Sequence, residues 1–439
     1  MTEPSAGRSL EGWLAWQATV HPRGIDMGLE RIRKVWQRLG SPAPAPMVFS
    51  VGGTNGKGST VAFLEAMLRA TGLRVGTFTS PHLLRYNERV HIDGLDADDA
   101  SLVQAFEQIE KARGDVSLTY FEFAALAAIL LFAQCEVDVA VLEVGLGGRL
   151  DAVNLIDADV AIVTTVDIDH QEWLGNDKES IAREKAGIFR PRRPAIIGEN
   201  DPPRSLLDVA MELGSIVQRS GHEFTAETTS SGWRWSNGRE ILELPLPAMD
   251  APCQMGNAAA AIAALHALRD RIAWQPSAIA AGVANAKIGG RLQRLADEPD
   301  LIVDVAHNPQ AARELAAWIE ANPIPGRNIA VFGALDDKDV DGMLAPLLAH
   351  VHEWHLCALN GASPRGLSLD ELEKRLMGRV QPKVGSRHED VASALGAALQ
   401  AACHEDRVLA FGSFFVVAGV LAAYEANSRP KQSRASPSG

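Results

Sequence analysis

Residues 48–60 read VFSVGGTNGKGST. Val48-Phe49-Ser50-Val51 is short, β-branched and aromatic, as a buried strand is, and it breaks at Gly52-Gly53. A helical run, Val61 to Leu68, begins just after Ser59-Thr60. Strand, glycine loop with a lysine and helix start together make a phosphate cradle: glycines let backbone N–H groups converge on an anion, and the helix N-terminus adds positive potential. A hydroxyl at the end of such a loop can bind magnesium. The pattern departs from a Walker A motif, with Val51 where a glycine is usual and Gly58 where a hydroxyl follows the lysine. Considered alone, the loop could be a glycine-rich turn with an incidental lysine; the strand before it and the helix after it favour nucleotide.

Working outward, 439 residues exceed one ordinary domain, so two are expected. A 46% hydrophobic fraction is enough for a full core, and a formal charge of −13 implies no basic face for nucleic acid. Cys135, Cys253, Cys357 and Cys403 stand far apart without metal-like spacing and read as reduced thiols of a cytoplasmic protein. No run has the length of a membrane span, and the first residues lack the apolar stretch of a secretory signal.

Residues 9–39 carry two helical patterns joined at His21-Pro22-Arg23-Gly24, with Ile25, Leu29, Ile32, Val35, Trp36 and Leu39 at helical spacing. In that frame Ile25-Asp26 also reads as a helix start capped by aspartate. A second strand, Arg74 to Thr79, ends at Thr79-Ser80-Pro81-His82, and a long apolar helix follows Thr119-Tyr120-Phe121-Glu122. Val137 to Glu143 is an apolar strand ending in a carboxylate. That is a Walker-B-like arrangement near a phosphate loop, although a strand-terminal Glu can equally be a cap or a surface acid. The loop Gly145 to Asn154 comes next, then a strand at Val160–Val166 running into Asp167-Ile168-Asp169-His170, a helix over 178–188 with Lys185, and a strand at Pro194–Ile197. Alternating strands and helices predict a parallel sheet covered on both faces. Residues 199–250 look less regular, with one possible hairpin at Gly232–Arg239; Gly256-Asn257 opens an alanine-rich helix with Asn257 as its cap.

Gly289-Gly290-Arg291 and Pro299 mark a boundary. Strands at Leu301–Val305, Asn328–Gly333, Glu353–Leu359 and Arg407–Phe411 alternate with helices near 340–349, 368–378, 388–402 and 414–425. The expected fold is therefore α/β: a P-loop parallel-sheet ATPase domain (1–288), a smaller doubly wound α/β C-terminal domain (289–426) and a disordered polar tail (427–439).

Ser59, Ser80, Glu143 and His170 are candidate magnesium ligands, because three strand ends deliver the last three toward one sheet edge beside the loop; a second metal would have room there. Lys57 would neutralise phosphate charge during transfer. Asp304, at a strand end, and Arg291 in the linker could reach a nucleotide. These residues support an ATP-dependent enzyme without naming its acceptor.

The chain resembles the Mur ligase superfamily in Gly53-Thr54-Asn55-Gly56-Lys57-Gly58-Ser59, Glu143, Asp169-His170, Lys185 and Asp304-Val305-Ala306-His307-Asn308-Pro309. Within it, Thr79 to Leu83, Tyr120 to Phe123, Leu142 to Asp151 and Arg183 to Ile188 resemble the bacterial bifunctional dihydrofolate synthase/folylpolyglutamate synthase family, in order from about residue 10 to 425. The resemblance implies that ATP phosphorylates the carboxylate of 7,8-dihydropteroate or a tetrahydrofolate, and that L-glutamate attacks the acyl phosphate. It places ATP on Thr54, Asn55, Gly56, Lys57, Gly58, Ser59, Asn257, Arg291 and Asp304, and magnesium (two ions) on Ser59, Ser80, Glu143 and His170, with a monovalent cation possible. Catalysis falls to Lys57, Glu143, His170 and Lys185, the last as N6-carboxylysine. The pterin falls to Gly24, Ile25, Asp26, Thr119, Tyr120, Phe121, Glu122, Leu150, Asp151 and Ala152, and glutamate or phosphate to His307. Gly24 stands where relatives often carry a hydroxyl, so only its backbone could make that contact. A cytoplasmic monomer acting on small molecules, without nucleic acid or membrane, completes the expectation. Folylpolyglutamate synthase alone, a cell-wall Mur-type ligase and a nucleotide-switch protein are the competing readings.

Overall fold

The computed structural model describes residues 7–377 and 383–428. The chain divides into two compact units at Ile288/Gly289.

The first unit is built on strands β1 (Met47–Gly52), β2 (Val75–Phe78), β3 (Val90–Ile92), β4 (Leu95–Asp96), β5 (Val139–Glu143), β6 (Val160–Val163), β7 (Pro194–Ile197) and β8 (Ile216–Arg219). They form one sheet in the order β4-β3-β2-β5-β1-β6-β7-β8. From β2 to β8 every pairing is parallel; β3 and β4 add an antiparallel edge. The helices are α1 (Leu10–Val20), α2 (Glu30–Arg38), α3 (Lys57–Ala70), α4 (Asp99–Arg113), α5 (Tyr120–Gln134), α6 (Gln171–Leu174), α7 (Lys178–Ala186), α8 (Arg204–Leu213), α9 (Gln254–Ala267) and α10 (Pro276–Asn285).

β1 shows why the sheet is buried on both faces. Its side chains alternate: Val48 joins a core with Trp13, Phe106, Phe123 and Leu142, while Phe49 and Val51 join a second core with Phe63, Met67, Val141 and Ile262. Six all-buried residues at 2.0 periodicity cannot show an amphipathic pattern, only a continuous apolar run. The polar loops beyond Gly52, Phe78, Glu143 and Val163 are therefore delivered to one edge of the sheet, the carboxyl end where parallel sheets bind ligands.

Residues 199–250 are more regular than their composition suggests. They hold α8, β8 and a three-stranded antiparallel sheet of β9 (Thr225–Thr229), β10 (Gly232–Ser236) and β11 (Ile241–Leu244). The expected hairpin is thus one strand and the start of a turn. Trp233 and Trp235, both on the inner face of β10, are wholly buried and anchor this small sheet to the second core. Ile25 and Leu29, expected in a helix, precede α2; Ile25 is exposed.

The second unit contains β12 (Gln293–Asp297), β13 (Asp300–Val303), β14 (Asn328–Phe332), β15 (Glu353–Cys357), β16 (Val384–His388) and β17 (Arg407–Phe411), in the order β12-β13-β17-β14-β15-β16. All pairings are parallel except β12 with β13, so the unit is a doubly wound sheet with an antiparallel edge. β12 and β16 escaped the sequence reading because both carry charged side chains at an edge, where propensity is weak. The final helix, Phe414–Ser428, runs two residues into the expected tail; residues 429–439 lie outside the described residues.

Candidate active site

β1 hands the chain to a loop whose shape depends on two glycines. Gly53 (φ +142°) and Gly56 (φ +85°) adopt conformations that L side chains rarely take. A Cβ at Gly53 would fall 1.9 Å from Thr164 Oγ1, and one at Gly56 2.4 Å from Asn257 Oδ1. The loop is fastened to the end of β6: Thr54 N donates to Thr165 O at 2.7 Å, and Thr54 Oγ1 donates to Asp167 O and accepts from Asp167 N. Lys57 Nζ folds back to donate to Gly53 O at 3.1 Å and Thr54 O at 3.0 Å.

α3 begins at Lys57, four residues earlier than expected, because Gly56 turns the chain directly into the helix and Thr60 N already bonds to Gly56 O. Lys57, Gly58 and Ser59 thus occupy the first turn, where backbone N–H groups lack intrahelical acceptors and draw an anion. Ser59 Oγ is buried with no hydrogen-bond partner, a state that costs about 1–3 kcal/mol unless a ligand takes it up.

Glu143 ends β5 and is 4% exposed. Its Oε2 accepts from Ser80 N at 3.0 Å and lies 3.7 Å from where a Cβ on Gly58 would stand. The end of β2, the end of β5 and the first turn of α3 are therefore joined around one carboxylate. His170 lies past the end of β6, so it and Glu143 follow the two strands that flank β1. It takes a left-handed conformation before α6, and its N–H donates to Asp169 Oδ1. Among the described residues no three His, Cys, Asp or Glu side chains are grouped as a metal cage. An open set of one hydroxyl and one carboxylate still fits magnesium, which keeps water and phosphate oxygens for most of its shell.

Lys185, on α7, is 4% exposed and its Nζ donates to Gly53 O at 2.9 Å. Burial, and then the neighbouring Lys57, push its amine down to about 7 against the pull of Asp169, Asp151 and Glu199. At neutral pH a large fraction is uncharged amine, the form that reacts with CO₂.

A second cluster joins three separate segments. Thr119 caps α5 with a capping box: Glu122 N donates to Thr119 Oγ1, and Thr119 N to Glu122 Oε2 at 2.7 Å. Arg31 reaches Glu122 Oε1 at 3.2 Å with one nitrogen and Asp26 Oδ2 at 2.8 Å with another; it also donates to Asp26 O at 2.6 Å. Gly28 N donates to Leu150 O. Asp151 caps the short helix Ala152–Leu155, accepting from Val153 N and Leu146 N, and burial pushes its carboxyl up to about 7. The segments Gly24–Asp26, Thr119–Glu122 and Leu150–Ala152 are thereby brought together. Tyr120 packs edge-on to Tyr86, and Phe121 lies against Phe78.

Two local readings are corrected. Asp26 does not cap α2, which starts at Glu30 after Leu29; its carboxylate is held by Arg31 and faces His21 Nε2 at 3.3 Å. Asn257 is not an N-cap: α9 begins three residues before it, its N–H bonds to Cys253 O, and its amide faces Gln254 and Gly56.

The structure adds Arg31, Thr164 and Glu199. Glu199 lies just past β7, and burial pushes it up to about 7 beside Lys178 and Asp167. It follows the rule that singled out Glu143, a carboxylate after a short apolar strand, and could have been found that way. Arg31 carried no local signal, since its partners are distant or in a loop.

In the second unit, Asp304 is half-buried just past β13, where its carboxylate accepts from Leu292 N and Ala306 N, both at 2.8 Å; its withdrawal from water raises its pKa. Arg291 lies over the Phe414 ring, as does His307, whose Nδ1 is 2.8 Å from Val305 O.

A phosphate loop at the carboxyl end of a parallel sheet, a strand-end glutamate beside it and a buried lysine against it are features that suit an ATP-dependent ligase. The Mur ligase middle domain matches residues 51–265, and the Mur ligase glutamate ligase domain matches residues 290–414. The dihydrofolate synthase/folylpolyglutamate synthase of Escherichia coli K12 is 46% identical over 424 residues, covering 96% of this chain and 97% of that relative. The solved structure of E. coli FolC with DHPP and ADP superposes with a TM-score of 0.91 at 46% identity, covering 97% of this chain and 99% of the other. A bifunctional folylpolyglutamate synthase/dihydrofolate synthase with Mn, AMPPNP and L-glutamate bound gives a TM-score of 0.88, also at 46% identity, over 97% of this chain and 100% of the other. The chain belongs to the Mur ligase family and, within it, to the dihydrofolate synthase/folylpolyglutamate synthases. Among the described residues no helix is long and apolar enough to cross a membrane.

Proposed function

We propose that this enzyme joins L-glutamate to 7,8-dihydropteroate and adds further glutamates to tetrahydrofolates, using ATP to activate the acceptor carboxylate as an acyl phosphate. The observation that supports this most directly is likeness over nearly the whole chain to enzymes of both activities. In the reading, the 1–288 unit is the ATP-binding domain and the 289–426 region the glutamate ligase domain.

The acceptor carboxylate attacks the γ-phosphorus of ATP and ADP leaves. The glutamate amine then adds to the acyl carbon, and collapse of the tetrahedral intermediate expels phosphate and leaves an amide. The first turn of α3 binds the phosphates, and Lys57 exchanges the carbonyls of Gly53 and Thr54 for phosphate oxygens. Ser59, Ser80, Glu143 and His170 would hold magnesium, which would supply charge neutralisation during phosphoryl transfer. Lys185 as the uncharged amine adds to CO₂, loses a proton and becomes a carbamate, so a side chain that is otherwise neutral or cationic would become an anionic ligand. Gly24–Asp26, Thr119–Glu122 and Leu150–Ala152 hold the pterin. Asn257 meets ATP next to Gly56; Arg291 and Asp304 for ATP, and His307 for glutamate or phosphate, rest on the family motif. The enzyme acts as a cytoplasmic monomer on small molecules, without nucleic acid or membrane.

ATP turnover should require an acceptor and L-glutamate together. Turnover with tetrahydrofolate but never with dihydropteroate would reduce the enzyme to a folylpolyglutamate synthase. Turnover with neither would reject the proposal.

A further inference from the structure

Beside the small antiparallel sheet lies a cavity of about 560 Å³, within the usual size of small-molecule sites. It is lined by the end of β8 and the residues after it, the β10–β11 turn, and the C-terminal part of α9. None of its lining residues belongs to the active site described above. His266, on α9, is nine residues from Asn257, about 14 Å along the helix.

The residues that line it are polar or charged, with two arginines against two glutamates. Its two carboxylates are both engaged. Glu223 accepts from Arg219 Nε at 3.1 Å, from Arg219 Nη2 at 3.2 Å and from Arg219 N at 2.8 Å. Glu240 faces His266 Nε2 at 3.3 Å. The two guanidiniums that line the cavity have no such partner: no ion pair among the described residues involves Arg239, and Arg269 meets only the ring of His266, at 2.8 and 3.1 Å. His222 adds a third basic side chain. Both arginines are exposed, so their forks are open to a ligand from solvent. Guanidinium forks match carboxylate and phosphate oxygens bidentately. No aliphatic side chain lines it, which argues against a lipid chain.

We infer that this cavity is a second binding site, for a small organic anion with at least two negative charges (a phosphate ester or a polycarboxylate), clamped by Arg239 and Arg269. Its volume exceeds what a lone inorganic ion would fill.

The test is calorimetric titration of pyrophosphate and of citrate into the full-length enzyme with its phosphate loop already filled by AMPPNP. Wild type should bind at least one of the two at a single site. Arg239→Gln and the double variant Arg239→Gln/Arg269→Gln should each weaken that binding at least tenfold, while Glu240→Gln, which removes a competing carboxylate, should strengthen it several-fold. AMPPNP affinity should be unchanged in all three, which separates failure here from failure of the nucleotide reading. Equal binding by wild type and Arg239→Gln, or no binding of either probe by wild type, would overturn the inference.

Discussion

Lys185 concentrates the chemistry of the site in one side chain. It is buried against the carbonyl of Gly53, and its amine is pushed down to about 7 by burial and by Lys57. The reactive uncharged fraction grows as pH rises through that value, so enzyme stripped of CO₂ should regain activity faster at pH 8 than at pH 6 when both are given the same concentration of dissolved CO₂. Lys185→Ala should lose about 10²-fold or more in kcat, the scale of removing one preorganised charge, and should be partly rescued by short carboxylic acids. Lys57→Ala should fall by at least as much, with no such rescue. Arg31 is a different case, tying Asp26 to the α5 capping box with two charged contacts. Arg31→Ala should raise KM for the pterin acceptor about tenfold or more and leave KM for ATP nearly unchanged; an equal rise in both would remove it from acceptor positioning.

At the scale of elements, caps and strand ends carry the consequences. Thr119→Ala removes the α5 cap and should cost about 1 kcal/mol in urea unfolding, with a parallel loss of acceptor affinity because the Glu122 N–H loses its acceptor and the first turn of α5 loosens. In the second unit, Asp406 has its carboxyl held well below the usual range. Burial acts to raise it, but the N–H groups of Arg327 and Cys403 and the Arg327 guanidinium outweigh that. A depressed folded-state pKa stabilises above the unfolded value, near 4, and the contribution is lost as pH falls below it. Urea midpoints of wild type should therefore drop between pH 5 and pH 3, and those of Asp406→Asn should drop less. Most elements were legible where burial and period agreed: β1, β7, β17 and α7 lie close to where their patterns put them. The rest was hidden for definite reasons. β12 and β16 are charged edge strands, the α3 start depends on the conformation of Gly56, and the three-stranded sheet is held by Trp233 and Trp235 packing that no local pattern announces. The phosphate loop and Glu143 could be read from chain-local signals, whereas Arg31 acts through Glu122, ninety-one residues away in sequence.

For the whole molecule, one fold class and one family follow from agreement across scales. The α/β sheets with their antiparallel edges, the glycine loop at the carboxyl end of β1 and the near-complete match to dihydrofolate synthase/folylpolyglutamate synthases lead to the same enzyme class. The residue roles add a further claim, that one site activates a carboxylate and passes it to glutamate. Mass spectrometry of the products from dihydropteroate, ATP and L-glutamate, and separately from tetrahydrofolate, ATP and L-glutamate, tests it most directly. Each acceptor should be recovered heavier by one or more glutamyl residues, with one ADP and one phosphate released per amide formed. ATP hydrolysed to ADP with both acceptors recovered unchanged would contradict it.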